Sequence, residues 1–233
     1  MKSFIKKFQA FTTMMDGLKY NDRALLWIIL IDLSLGLSST VVDWQWLIRV
    51  PRHLVLFAPI CSIYPWLLAV WMTIFFFRKK VSSWFTAFLL IGLFSYGIMA
   101  WIYFPLYMSW NGVNFHDIGS MFWVTAYASQ AFIIASEIKK VRWYTLVPIM
   151  GYFFFKDYAD RFLGTFLDIL LDSYPENLKT IFTVSVVTLH IMAVPLVFWI
   201  QRKNLQKTAE PAKVPLNGTS RPKQILAGDS VNQ

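Results

Sequence analysis

Four charged residues, Lys156, Asp157, Asp160 and Arg161, fall within six positions of the otherwise apolar run GYFFFKDYADRFLG, Gly151 to Gly164. Carboxylates held in a nonpolar setting can bind a cation or relay protons. The spacing matters, because Lys156–Asp160 and Asp157–Arg161 are both i,i+4 pairs and each charge can meet an opposite partner on its own helix. Two readings follow. The cluster is either a hydrated pocket whose carboxylates handle a cation or a proton, or a salt-bridge cluster with Lys and Arg reaching to a boundary. Two further ionisable groups sit in apolar surroundings, Asp32 and His190. A His–carboxylate pair is a common proton-relay element, and the two fall at similar depth, so they are expected either to pair chemically or to lock two helices together.

The elements that must position these groups follow from composition. Of 233 residues, 57% are hydrophobic, 18% aromatic and 15% charged. A soluble domain carries about 25% charged residues. The shortage of charge and wealth of Trp and Phe are expected where lipid is the solvent. A single Cys excludes a disulfide framework within the chain and any multi-cysteine metal site. The net charge of +9 does not point to nucleic acid, because the basic residues cluster between apolar runs.

Six segments have the roughly 20 apolar residues needed to span a membrane: about 24–42, 54–77, 84–110, 118–138, 143–162 and 180–200. Runs of this length exclude barrel strands, which take about 10 residues with alternating polarity. The expected fold is all-α, a polytopic transmembrane helical bundle of about six spans. Lys2, Lys6, Lys7, Lys19 and Arg23 precede the first span; Arg78, Lys79 and Lys80 follow the second; Lys139, Lys140 and Arg142 follow the fourth; Arg202, Lys203 and Lys207 follow the sixth. Only Arg49 and Arg52 run against this alternation. Both termini are therefore expected in the cytoplasm, with the protein integral and multi-pass in the cell membrane. If the fifth span enters at Trp143, Asp157 lies about 21 Å along it, and Asp32 lies about 12 Å into the first span.

Residues 1–23 are read as an amphipathic segment, with Phe4, Phe8, Phe11, Met15 and Leu18 on one stripe. It is expected either to lie on the inner membrane surface or to pack under the bundle. The first long apolar run contains Asp32 and lacks a small-residue cleavage site, which argues against a signal peptide. Residues 24–201 form the transmembrane domain, and 202–233 are expected to be a disordered cytoplasmic tail. Its Asn217-Gly218-Thr219 matches the glycosylation pattern but would not meet the enzyme there. On the first helix Asp32, Gly36, Ser39 and Asp43 form a polar, small-residue stripe that belongs against another helix. Asp117 is expected to cap the fourth span, Glu137 to be a surface charge, and Trp44, Trp46, Trp110 and Trp143 to be interfacial anchors.

The run GYFFFKDYADRFLG resembles the penultimate helix of the YpjA-like family of bacterial and archaeal multi-pass membrane proteins. That family shows an apolar run, Asn-Asp-x-x-Asp and then a Gly. Asp157, Asp160 and Gly164 match, while Lys156 replaces the Asn. A second stretch, HLVLFAPICSIYP, is similar to the family's aromatic-x-Pro-Asp-Cys-Pro-like stretch at Pro59 and Cys61, with Ile60 in place of the acid. The resemblance implies a carboxylate site and names no reaction.

No HExxH, GxSxG or P-loop is present, and His53, His116 and His190 are too scattered for a recognisable zinc motif. The sequence therefore names no catalytic residue, metal site or cofactor. It is read as a small transporter or an ion or proton pathway through Asp157, Asp160, Lys156, Arg161, Asp32 and His190. The alternatives are a structural or accessory subunit of a larger membrane complex and an intramembrane enzyme acting on lipid or quinone. Its expected partners are the lipid bilayer and a membrane-protein partner or a second copy.

Overall fold

A computed structural model describes residues 2–57, 63–138, 140–163, 165 and 175–209. Among these the chain is helical, without strands. The helices are α1 (Lys2–Leu18), α2 (Asp22–Leu47), α3 (Ile63–Phe76), α4 (Ser83–Asn111), α5 (Phe115–Ser129), α6 (Ala131–Ile134), α7 (Trp143–Phe162) and α8 (Glu176–Ala209). Short 3-10 turns occupy Arg52–Phe57 and Ala135–Glu137.

Four segments are long and apolar enough to cross a membrane: Asp22–Trp44, Ser83–Asn111, Asp117–Glu137 and Glu176–Gln206. They correspond to the first, third, fourth and sixth expected spans, which is compatible with a membrane protein. The second expected span holds two described elements. Its 14-residue α3 covers only about 21 Å, and the 3-10 turn Arg52–Phe57 precedes it. The fifth, α7, has 20 residues but carries the four charges in its last two turns.

The helix ends have local causes. Asn114 caps α5, accepting a hydrogen bond from the Asp117 backbone N–H at 2.8 Å and donating to the Asp117 carboxylate at 2.5 Å. Asn114 thus takes the capping role expected of Asp117, which instead returns the bond as the third residue of the helix. Arg78 ends α3 with φ 57°, a left-handed conformation usually left to Gly. Its guanidinium bonds Asp22, the first residue of α2, at 2.5 Å. This tie links the C-terminal end of α3 to the start of α2, and α2 and α3 pack along each other.

The core forms around α4. Within its most apolar window 61% of residues are buried, against 22–33% in the other three long helices. It packs on α5 and α8 most extensively, and also on α3 and α7. Leu89, Ile91 and Leu93 on α4 meet Trp71 and Met72 of α3, Phe153 of α7 and Phe182 of α8 in one continuous cluster. Gly92 is required by this packing, since a Cβ there would overlap the buried ring of Tyr64.

The small-residue stripe of α2 faces inward as expected: Asp32, Gly36 and Asp43 are buried. Gly36 lies under the indole of Trp66. Helix α1 packs on α6, with Phe11 edge-on to Phe132 and Met15 and Leu18 against the core. Of the two placements expected for α1, the chain adopts packing against the bundle. At the other terminus α8 runs on to Ala209, eight residues into the expected tail. The remainder of that tail, with Asn217, and the matches at Pro59, Cys61 and Gly164 lie outside the described residues.

Candidate functional site

Asp157 and His190 meet in the core. The carboxylate Oδ2 lies 2.8 Å from His190 Nδ1, joining α7 to α8. Both residues are buried, at 4% and 0% exposure. The imidazole is held on two faces, by Phe153 of α7 at a centroid distance of 4.5 Å and by Tyr96 of α4, edge-on at 5.4 Å. Tyr64 of α3 stands behind Tyr96 at 5.4 Å. His190 lies in the interior of its helix, 14 residues from Glu176 and 19 from Ala209.

This pair is not fully satisfied by protein. Asp157 Oδ1, His190 Nε2 and the Tyr96 hydroxyl are all buried without a hydrogen-bond partner on the described residues, and so is the Ser95 hydroxyl beside Tyr96. A buried polar atom left unpaired costs about 1–3 kcal/mol. Three such atoms belong to the carboxylate, the imidazole and the ring against it, and the other buried pair leaves Asp32 Oδ2 and Gln130 Oε1 likewise without a partner on the described residues.

The rest of the charged run is compensated. Lys156 Nζ donates to Asp160 Oδ2 at 2.6 Å, both groups buried, and lies 5.6 Å from the centre of the Tyr96 ring. Thr165 donates to the other Asp160 oxygen. The Lys156–Asp160 pair expected from the spacing is therefore present. The Asp157–Arg161 pair is not: Arg161, at the end of α7, donates instead to the exposed Glu176 at the start of α8. Asp157 lies one turn earlier on nearly the same side of α7, is buried, and takes His190 of α8 instead.

Asp32 does not meet His190. It accepts a hydrogen bond from Gln130 Nε2 at 2.6 Å, in a buried pair that joins α2 to the α5–α6 junction. Equal depth on two helices does not bring side chains together when the helices are not neighbours, and α2 packs chiefly on α3. Gln130 breaks the fourth apolar segment into α5 and α6 and was not singled out in the sequence. A Gln amid an apolar run was the available signal.

A second polar cluster lies at the other end of the bundle. Lys19, just after α1, is completely buried. Its ammonium donates to Asp16 at 2.7 Å, to Glu137 at 2.8 Å and to the Ser136 hydroxyl, which donates in turn to Asp16 at 2.5 Å. Glu137, expected as a surface charge, is the anchor that draws α1 onto the bundle. Asn204 Nδ2 lies within 3.2 Å of the carbonyl oxygens of Ala135, Ser136 and Ile138, fastening α8 to the same turn. Burial is the largest influence on Lys19 and opposes its charge. Hydrogen bonds and Coulombic attraction from Asp16 and Glu137 together outweigh it and raise its pKa above the ordinary lysine value.

Fold and site define a class: an all-helical protein with helices of membrane-crossing length and a buried acid–base pair in its core. Comparisons with family models, curated proteins and solved structures find no match for the chain.

Proposed function

We propose that the chain is a multi-pass protein of the cell membrane, with six spans and both termini cytoplasmic, and that it is a small transporter or ion or proton pathway. The observation that carries this reading is the buried Asp157–His190 pair with its unpaired Oδ1 and Nε2. A pair serving only to join helices gains most when all its polar atoms are matched, and these are not.

Exposure rises along a chain of ionisable groups from this pair toward one end of the bundle. Asp157 and Asp160 are buried, the Arg161 side chain is 19% exposed and Glu176 70%. Under the proposed topology that end faces outward, so the carboxylates form an access route from outside. Exposed Trp44, Trp110 and Trp143 suit anchors at the membrane boundaries. Kinship with the YpjA-like family is part of the same proposal and rests on the matches at Asp157, Asp160 and Gly164.

A second reading, a structural or accessory subunit, is favoured by one feature: Lys156–Asp160 is a complete ion pair within α7, and Arg161–Glu176 fastens α7 to α8. Thiol accessibility separates the two. In a Cys61→Ser background, Thr165→Cys and Ser95→Cys place thiols beside Asp160 and beside Tyr96. A hydrated route predicts that small impermeant thiol reagents applied from outside modify both, position 165 faster. A dry cluster predicts that neither reacts. The topology is checked in the same cells, where Asn114→Cys should label from outside and Lys79→Cys and Ile225→Cys should not.

A further inference from the structure

We infer that the species handled at this site is a proton, taken up one at a time at Nε2 of His190, and not a metal cation. This deepens the transporter reading and rests on it. The inference comes from the donor set and its charge.

Asp160 already has a cation, the Lys156 ammonium at 2.6 Å, and a hydroxyl donor, Thr165. Neither partner leaves that carboxylate free to ligate a metal ion. Asp157 has committed one oxygen to His190. Among the described residues no three His, Cys, Asp or Glu side chains are grouped to hold a metal ion. A divalent cation entering here would also stand beside the Lys156 ammonium, and like charges in a low-dielectric site repel strongly.

A proton meets none of these obstacles. With Asp157 ionised, the proton in the hydrogen bond between them belongs to Nδ1 of the neutral ring. Nε2 then presents a lone pair, and the next proton forms an N–H bond there, drawn from water or hydronium arriving along the Glu176–Asp160–Asp157 side. Lys156, Asp157 and Asp160 sum to −1 with neutral His190 and to 0 once Nε2 is protonated. Uptake of a single proton thus neutralises the buried cluster, and uptake of a second has no compensating charge.

The surroundings suit this exchange. The imidazole meets Asp157 and Phe153 of α7 and Tyr96 of α4, with Tyr64 of α3 behind Tyr96, while Lys156 lies against the Tyr96 ring and pairs with Asp160, whose other oxygen takes Thr165. The Tyr96 hydroxyl, buried without a hydrogen-bond partner on the described residues and able both to donate and to accept, belongs to a ring that contacts the imidazole. Phe153 and Tyr96 fix the ring plane, so the proton site stays aimed while its charge changes.

The test uses the full chain reconstituted in vesicles of phosphatidylethanolamine and phosphatidylglycerol, with a pH-sensitive dye and, separately, sodium- and potassium-sensitive dyes inside. An imposed membrane potential should acidify wild-type vesicles without moving sodium or potassium. His190→Gln and Asp157→Asn should fall to the level of empty vesicles, while Thr188→Val, on the exposed side of α8, should match wild type. Metal-cation flux without a pH change overturns the proton assignment and leaves the transporter reading standing. No flux of either kind sinks both. Proton flux that survives in His190→Gln overturns the placement at Nε2.

Because those variants could lose their fold, a second measurement keeps His190 intact. With His53→Gln and His116→Gln, His190 is the only histidine, and nitrogen-15 NMR reads both ring nitrogens. Across the pH range in which the protein stays folded, Nδ1 should remain hydrogen-bonded while Nε2 passes from lone pair to N–H. An Nε2 resonance that does not move over that range overturns the inference.

Discussion

Among the described residues Lys19, Lys156 and Lys179 are buried, and the surroundings of the first two, toward opposite ends of the bundle, differ in what they leave undone. Lys19 has three oxygen partners, Asp16, Ser136 and Glu137, and the buried polar atoms around it are matched. Lys156 has one carboxylate partner, Asp160, and an aromatic face. One helical turn of α7 holds both the completed Lys156–Asp160 pair and the incomplete Asp157–His190 pair. Completed networks hold elements in place, and here the Lys19 network fastens α1 and α8 to the turn after α6. Incomplete ones keep a site able to exchange a partner. The same residue types thus serve as a lock at one end and as a reactive group near the middle.

Removing the carboxylate from each pair on α7 should separate them most sharply. Asp160→Asn leaves the Lys156 ammonium buried without a counter-charge, which costs about 3–5 kcal/mol. The melting temperature in detergent should drop steeply and the folded yield with it. An Asp160→Asn protein as stable as wild type would show that Lys156 reaches solvent.

Lys19→Met tests the lock. It leaves Asp16 and Glu137 facing each other, but both are partly exposed, so water recovers some of the loss and the cost lies nearer the lower end, about 3 kcal/mol. Limited proteolysis should release α1 while α4 and α8 remain protected. Release of α8 together with α1 would mean that Asn204 does not hold independently. The pH dependence carries a definite sign. The folded pKa of Lys19 is raised above its ordinary 10.5, so its contribution is fully present below that value and is lost as pH climbs through the raised one. Protection of α1 should be flat through neutral pH and fail only in strong alkali. Loss on mild acidification would place the controlling group elsewhere.

Gly92→Ala disturbs the wall behind the acid–base pair without touching a charge. The new Cβ overlaps the Tyr64 ring, and overpacking of this kind costs about 1–3 kcal/mol. Tyr96 leans on Tyr64, so the His190 nitrogen resonances should shift as well. An unchanged spectrum would detach that wall from the site.

Asp157→Asn should have the smallest effect on stability, about 1 kcal/mol or less, because Asn still bonds the imidazole and neutral His190 leaves no charge stranded. The double replacement of Asp157 and Asp160 by Asn should resemble Asp160→Asn alone. A melting temperature for Asp157→Asn as low as that for Asp160→Asn would erase the distinction between the two pairs and favour a purely structural cluster.

Much of this arrangement was legible in one dimension. Apolar runs of 20 residues or more leave helices as the only economical way to satisfy their backbones, so an all-helical chain followed directly. The i,i+4 spacing of Lys156 and Asp160 determined that pair, since both sit on one helix whose geometry is local. The inward direction of Asp32, Gly36 and Asp43 followed from their common face. The two elements within the second apolar run, the break at Gln130 and the continuation of α8 to Ala209 were not legible, because hydrophobicity reports burial from water and says little about where a helix stops. The partners of Asp157, Asp32, Arg161 and Glu137 were decided only by tertiary structure. Each is a contact between residues at least 15 apart in sequence. Such contacts depend on which helices are neighbours and how each is rotated about its axis, and those quantities are set by the packing of the whole bundle around α4.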